Sequence, residues 1–556
     1  MSAGAGPVLP GTGSVLGVLH LPDGDAPAEL EAARRRLLRL YRPVLPGCEV
    51  RSRWHEPSRT AVLAVTTTGE LPARGRWGVP PAPADPAAGG PWVTWDGDDR
   101  TLTVRTSSTS VATLRTASSG TRSAWATRSL AVHALLGRRP AVRADVVAEH
   151  VLLDCTIGDD DLLDGTSRVP DGAVLTASAD GVRTTTTVED AVRYAPGEPT
   201  TPTRLRAAAL EAAELLGDVP GACLGLTAGR DSGLLAAALV CTGRRPPAFT
   251  MGWPGLPDVD GAALRAARLG LDHRAVPLAD LDGHVVASTE DLTRALQRRR
   301  SPAALVDAVL RRTRWSDGAD LPRNALVGDL AWSGPPVVWL SGSGGELARA
   351  LYWHEAPPGT PELAAFLGPR TGGLARPAAD RLAERVTAEL DRARACGRTG
   401  RGGLDVLYLR SRMRGWLGNV APSPAFSGFL PGLLEPATVR VLLDVPEDQR
   451  RTGALFAAVA DGLLAEGGAA GAHPPPVKPP GRRRLARLRS DPLSDARLLR
   501  RVLRRLDATG PGVAREVLGE RWWRLALDQA PSRPHVRQWL WNAVAVDALA
   551  VVAADL

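Results

Sequence analysis

Residues 222–226 form an apolar run, residues 227–232 a tight polar turn, and residues 234–239 a run of strong helix formers. Strand, short loop and helix in that order aim unpaired backbone N–H groups and the positive end of a helix dipole at one spot, which suits an anion. Within the turn Gly229 permits close backbone approach, Thr227 and Ser232 offer hydroxyls, and Asp231 can hold a hard cation such as Mg²⁺. A nucleotide phosphate meets both requirements. The spacing is not that of the Walker loop, which places four residues between its glycines and then Lys-Ser/Thr.

The surrounding pattern continues the alternation. Strands are expected over 222–226, 248–251 and 273–277, and helices over 232–241 and 258–269, an order that predicts a parallel sheet covered on both faces. From about residue 378 onward the pattern is largely helical. Residues 194–203 hold Pro196, Pro199 and Pro202, which break any regular element and divide the chain. Upstream of that break, Thr- and Val-rich runs at 61–68 and 101–106 read as strands, with a helix over 124–136. The acidic trio Asp159, Asp160 and Asp161 reads as a solvated turn.

The turn Thr227-Ala228-Gly229-Arg230-Asp231-Ser232 resembles the Ser-Gly-Gly-x-Asp-Ser pyrophosphate loop of the ATP pyrophosphatases. Its surroundings, beginning Asp218-Val-Pro, resemble the asparagine-synthetase branch of that family. Thr227 keeps the hydroxyl of the family's Ser, and Ala228 replaces a glycine. A second segment, from Val337 to Tyr352, reads as a buried strand entering a glycine-rich turn, Ser341-Gly342-Ser343-Gly344-Gly345-Glu346. It resembles the family's Ser-Gly-x-Gly-x-Asp-Glu signature, with Glu346 on the metal-binding Asp, Leu347 where a further carboxylate is usual, and Tyr352 on the family's Tyr. Phe426 to Pro431 resembles that family's Arg-x-Pro-Phe-Leu-Asp segment weakly.

Lys478 is the single lysine of a chain whose Lys and Arg together number 68. An ammonium and a guanidinium differ in size and donor geometry, so a lysine kept amid so much arginine points to a site that arginine does not fit. Lys478 lies where the family carries a lysine that contacts pyrophosphate and the reacting acyl group.

Composition excludes several classes. The hydrophobic and charged fractions, 44% and 23%, are those of a globular chain. No apolar run approaches the length of a membrane span. The five cysteines match neither a disulfide framework nor a zinc spacing, and no basic stretch leads into an apolar core at the N-terminus, so a reducing, cytoplasmic setting is expected. Much of the net charge of +8 lies between Lys478 and Arg505. The leucines there recur at helical spacing, and no aromatics are interleaved. A helix with a solvated basic face accounts for the run, and no nucleic acid is expected.

The resemblance implies an α/β fold in two parts. Residues 1–193 would form a degenerate class II glutamine amidotransferase-like domain of αββα layering, on the pattern of Leu162 to Leu175, and 194–204 the linker. Residues 205–556 would form a doubly wound, parallel-sheet ATP-pyrophosphatase domain with a helical C-terminal part. Class II amidotransferases use an N-terminal cysteine, whereas here Ser2 follows Met1 and the first cysteine is Cys48, so glutaminase activity is not expected.

The resemblance also implies the cofactors and their contacts. ATP would lie on Leu226, Thr227, Ala228, Gly229, Arg230, Asp231, Ser232, Met251, Ser341, Gly342 and Gly344, with Met251 beside adenine. Mg²⁺ would be held by Asp231 and Glu346, and Lys478 would face the developing charge. The implied reaction adenylates a carboxylate, releases pyrophosphate and lets an amine attack. With no internal ammonia source, the resemblance implies a small molecule or peptide carrying both carboxylate and amine, as in lasso-peptide macrocyclases and β-lactam synthetases. A leader peptidase or precursor-recognition protein is the partner such a cyclase implies. An amide ligase using free ammonia, and a non-catalytic nucleotide binder, are the alternatives. No general base is assigned.

Overall fold

The computed structural model describes residues 8–9, 15–67, 71, 75–77, 93–106, 114–187, 189–280, 284–298, 302–318, 330–334, 337–349, 361–417, 426–468, 496–507, 512–530 and 533–556. A five-stranded sheet is built from β1 (Ala222–Gly225), β2 (Ala248–Met251), β3 (His273–Val276), β4 (Val337–Ser341) and β5 (Phe426–Pro431). The spatial order is β3-β2-β1-β4-β5, and every neighbouring pair is parallel. Chain order therefore reverses between β1 and β4, whose register places Gly225 opposite Ser341.

Alternate residues of these strands face two cores. Leu224, Ala248, Val338, Leu340 and Leu430 pack with residues of α1 (Pro202–Gly217), α2 (Arg230–Cys241), α3 (Pro257–Leu269) and α4 (Ala454–Glu466). Pro202 at the start of α1 and the Thr201 side chain, which accepts from Arg204 N–H at 3.3 Å, set the beginning of that helix. Cys223, Phe249, Val276 and Phe426 face the other way, against Leu330, Trp332 and Trp339. Among the described residues this second face is an aromatic layer of the sheet's own Phe249, Trp339 and Phe426, joined by Leu330 and Trp332. Its rings stand edge-on or tilted, as their quadrupoles prefer, and Arg274 lies 3.7 Å over the Trp332 ring.

The N-terminal third contains two six-stranded sheets, antiparallel except for Val8–Leu9 alongside Gly75–Trp77. Leu16, Val18, Val62, Trp95, Val104, Trp125 and Leu175 fill the space between them. All of Val15–His20 and Thr60–Thr66 is buried, because the outer face of their sheet is covered by helices Ala26–Tyr41 and Ser129–Leu136. Across the other sheet, the edge strand Gly181–Thr186 leaves Arg183 to Thr186 exposed. Among the described residues the layering is helix, sheet, sheet. Residues 124–126, expected to begin a helix, end the strand Arg122–Ala126 instead. That strand pairs on both sides, and the helix begins at Ser129.

The C-terminal helices share a core with this N-terminal third. Leu305, Trp315, Leu382, Val386, Trp522, Trp541 and Leu549 pack with Leu37, Tyr41, Leu130, Val151 and Leu152. Asp317 accepts from the N–H groups of Ser129 and Leu130 at 2.6 and 3.1 Å, capping a helix that begins far upstream. Residues 543–554 form the largely buried last part of the helix Pro534–Ala554. In the helix Ala496–Asp507, Val502, Leu503 and Leu506 are buried while Arg501, Arg504 and Arg505 stay exposed. Among the described residues no helix is long and apolar enough to cross a membrane.

The acidic trio also differs from expectation. Asp159 pairs with Arg414, Asp160 with Arg143 at 2.5 Å and Arg385 at 2.6 Å, and Asp161 accepts from Ser129 Oγ at 2.9 Å. The turn is an ionic seam that ties the N-terminal third to Arg385 of Arg376–Ala395 and to Arg414, rather than a turn met by water alone. The stretch after Tyr194 is likewise pinned. Arg398 donates to the carbonyls of Tyr194 and Ala195 and to Asp444, and Asp444 accepts from Gly197 N–H at 3.1 Å.

Candidate functional site

The two glycine-rich turns follow β1 and β4, the pair at which strand order reverses. In open α/β sheets ligands bind in the crevice beyond the carboxyl ends of the strands at such a point. Here the turns at residues 226–232 and 342–346 flank that position.

The first turn is held by its own hydroxyls. Ser232 Oγ accepts from Thr227 N–H at 3.1 Å and lies 2.9 Å from Thr227 Oγ1, which accepts from Gly229 N–H at 3.0 Å. The pair expected to face phosphate therefore braces the loop, with Ser232 buried and Thr227 still exposed. Gly229 precedes α2, so the first N–H groups of that helix have no carbonyl four residues back. Arg230 is exposed at this positive helix end and makes no ion pair among the described residues. A cation is poorly placed there unless an anion joins it.

Behind the loop stands Arg265, which no motif marked. It comes from α3 and is fully buried, and its Nη1 lies 2.7 Å from the carbonyl oxygens of both Thr227 and Gly229. Its Nη2 donates to the Ala228 carbonyl at 3.1 Å. Gly233 makes room for it, since a Cβ there would lie 2.8 Å from Nη1. The signal available in the sequence is positional: Arg265 falls on the same stripe as Val259, Ala262 and Leu269, the buried face of an amphipathic helix. Next to it, Thr250 Oγ1 donates to the Leu226 carbonyl at 2.6 Å and lies 2.8 Å from His273 Nε2. Burial lowers the His273 pKa, which favours the neutral imidazole as Thr250's partner.

The second turn sits directly on the first. A Cβ at Gly342 would come within 2.5 Å of Ser232 N, and one at Gly345 within 2.5 Å of Asp231 Cγ. At Gly344, φ is +111° and a Cβ would approach the Leu433 carbonyl oxygen to 2.7 Å, so neither space nor backbone admits a side chain. Ser341 and Ser343 place their hydroxyl oxygens 2.8 Å apart. Glu346 accepts from Gly344 N–H at 3.0 Å, so this carboxylate closes its own turn. Met251 ends β2 and is 43% exposed, beside the crevice.

The sheet thus brings Asp231 against the turn that carries Glu346, and with it the loop residues 226–232. Lys478, Tyr352 and Ser2 lie outside the described residues. No group of three or more His, Cys, Asp or Glu side chains that could hold a metal occurs among the described residues. A magnesium ion on ATP needs no such cage, because phosphate oxygens and water supply most of its octahedron and one or two carboxylates suffice. The donor set of Asp231, with Glu346 one turn away, fits that requirement. All five cysteines are buried or half-buried, and burial raises every thiol pKa, that of Cys155 to about 12 and that of Cys223 to about 11. No family model matches the chain, and no curated protein matches it.

Proposed function

We propose that the chain is an ATP-dependent carbon–nitrogen ligase of the asparagine-synthetase-like kind, and that the crevice between the turns after β1 and β4 is its nucleotide site. One observation carries this reading: the two glycine-rich turns sit against each other, Gly342 on Ser232 and Gly345 on Asp231, at the ends of the strand pair where chain order reverses. The glycines let these two phosphate-type loops, far apart in sequence, come close enough for their backbones to share one ligand.

On this reading the C-terminal sheet with its helices is the doubly wound synthetase domain, and the N-terminal sandwich is an amidotransferase-like domain without glutaminase chemistry. The cysteine environments support the second point, because Cys48 and Cys155, the thiols of that part, are held protonated by burial and make poor nucleophiles. Residues 226–232, Met251, Ser341, Gly342 and Gly344 would bind ATP, Arg230 would add positive charge beside the phosphates, and Asp231 with Glu346 would hold Mg²⁺. The ion supplies charge neutralisation of the phosphates when bound. A substrate carboxylate attacks the α-phosphorus, pyrophosphate leaves, and an amine then displaces AMP from the acyl carbon. Lys478 would steady the charge that develops.

The substrate class is a small molecule or peptide bearing its own amine, so the product is a cyclic amide, as in lasso-peptide macrocyclases or β-lactam synthetases. A non-catalytic nucleotide binder is the second reading, favoured by Glu346 folding back onto Gly344 and by Leu347 in place of a carboxylate. Pyrophosphate release from ATP, with Asp231→Asn as control, separates the two. A ligase releases pyrophosphate only as wild type; no release with any carboxylate–amine substrate, alongside retained ATP binding, leaves the binder.

A further inference from the structure

Four consecutive carbonyls, those of Leu226, Thr227, Ala228 and Gly229, are each held from behind, the first by Thr250 Oγ1 and the other three by the Arg265 guanidinium. A trans peptide is planar, so its N–H points opposite to its C=O. Tying these carbonyls back therefore turns the N–H groups of residues 227–230 toward the crevice. Two are taken up inside the loop, Thr227 N–H by Ser232 Oγ and Gly229 N–H by Thr227 Oγ1. Those of Ala228 and Arg230 make no bond to a described residue, and they remain to meet an anion.

We infer that Arg265 is a positioning residue for the nucleotide site: it sets the 227–229 backbone so that its N–H groups converge on phosphate before any ligand arrives. The inference rests on the phosphate reading of this crevice. Removing a guanidinium from water is expensive, and an apolar side chain of similar volume would fill the same space at less cost. The planar fork is what the task needs, since it addresses carbonyls at fixed angles that a single ammonium cannot span. Its positive charge also lies behind the loop, on the side away from the ligand, and raises the potential at the crevice. Gly233 belongs to the same device. A glycine inside a helix costs about 1 kcal/mol relative to alanine, and here it opens the space that Arg265 occupies.

The test uses the full chain with Mg²⁺-ATP and with inorganic pyrophosphate as probes, titrated calorimetrically. Backbone amide exchange of residues 227–232 is followed in parallel without any nucleotide. Arg265→Met, on α3, is compared with Leu239→Ala, a buried cavity variant toward the far end of α2 from the first turn. Arg265→Met is expected to weaken both probes by about 10- to 100-fold, as when groups that orient a site's direct contacts are lost, and to speed exchange in the loop. Leu239→Ala should lower the melting temperature while leaving the dissociation constants unchanged. Arg265→Lys, which keeps charge in the cavity, replaces the Met variant should that one not fold, with the same expected loss. Wild-type affinity and wild-type exchange in an Arg265 variant overturn the inference, as does an equal loss of affinity in Leu239→Ala. If the wild type binds neither probe, the phosphate reading fails, and loop exchange in the variants still decides whether Arg265 orders the loop.

Discussion

Gly345 lies so close to Asp231 that a Cβ on the glycine would stand 2.5 Å from the carboxylate carbon. The two residues belong to turns that follow adjacent parallel strands, and their approach closes one side of the crevice. No other amino acid at 345 leaves Asp231 where it is.

Gly345→Ala is therefore expected to push the second turn away from α2. The overpacking should cost about 1–3 kcal/mol of stability, read by chemical denaturation. Loss of ATP binding should exceed that loss of stability, because the turn that moves carries Ser341 to Glu346. Unchanged affinity in the alanine variant would show that the two turns need not touch.

Lys478→Arg keeps the charge and changes the donor geometry. If the lysine faces the developing charge, pyrophosphate release should fall by about 100-fold, the scale of removing one preorganised electrostatic contact, with ATP affinity nearly unaltered. A rate close to wild type would return Lys478 to an ordinary place in a proline-rich stretch.

Glu149 is buried beside Arg385 and accepts from Ile157 N–H at 2.7 Å. Burial is the larger influence and pushes its carboxyl up to about 7, with Arg385 pulling the other way. Since the folded value exceeds the unfolded one, this group's stabilising contribution is fully present below its ordinary value of 4.5 and is lost as pH rises through about 7. Glu149→Gln removes that titration. Its melting temperature minus that of wild type should grow more positive between about pH 5 and pH 8, as measured by calorimetry in matched buffers. A difference that does not vary with pH would contradict the burial argument.

Much of the parallel sheet was legible from local pattern. The expected strand at 248–251 has those bounds, and the helices expected at 232–241 and 258–269 differ from the observed ones only at their first residues. Apolar runs, glycine and proline stops and helical spacing act between near neighbours, so they survive any tertiary context. The same rules placed residues 124–126 in a helix, where pairing with strands on both sides overrode propensity. The acidic trio reads as solvated in the sequence because no local pattern there reveals its partners. Its partners Arg385 and Arg414 arrive from more than two hundred residues away.

What the sequence determined by itself is the strand–turn–helix unit and the chemistry available in it: hydroxyls, glycines, one carboxylate, and a second such unit downstream. The tertiary structure decided which of those groups face the crevice. It turned Thr227 and Ser232 toward each other, set Gly345 against Asp231, and placed Arg265 behind three loop carbonyls. Strand order and helix packing settle such relationships, because they depend on the distance between side chains that share no local segment and only chain closure brings them within hydrogen-bonding range.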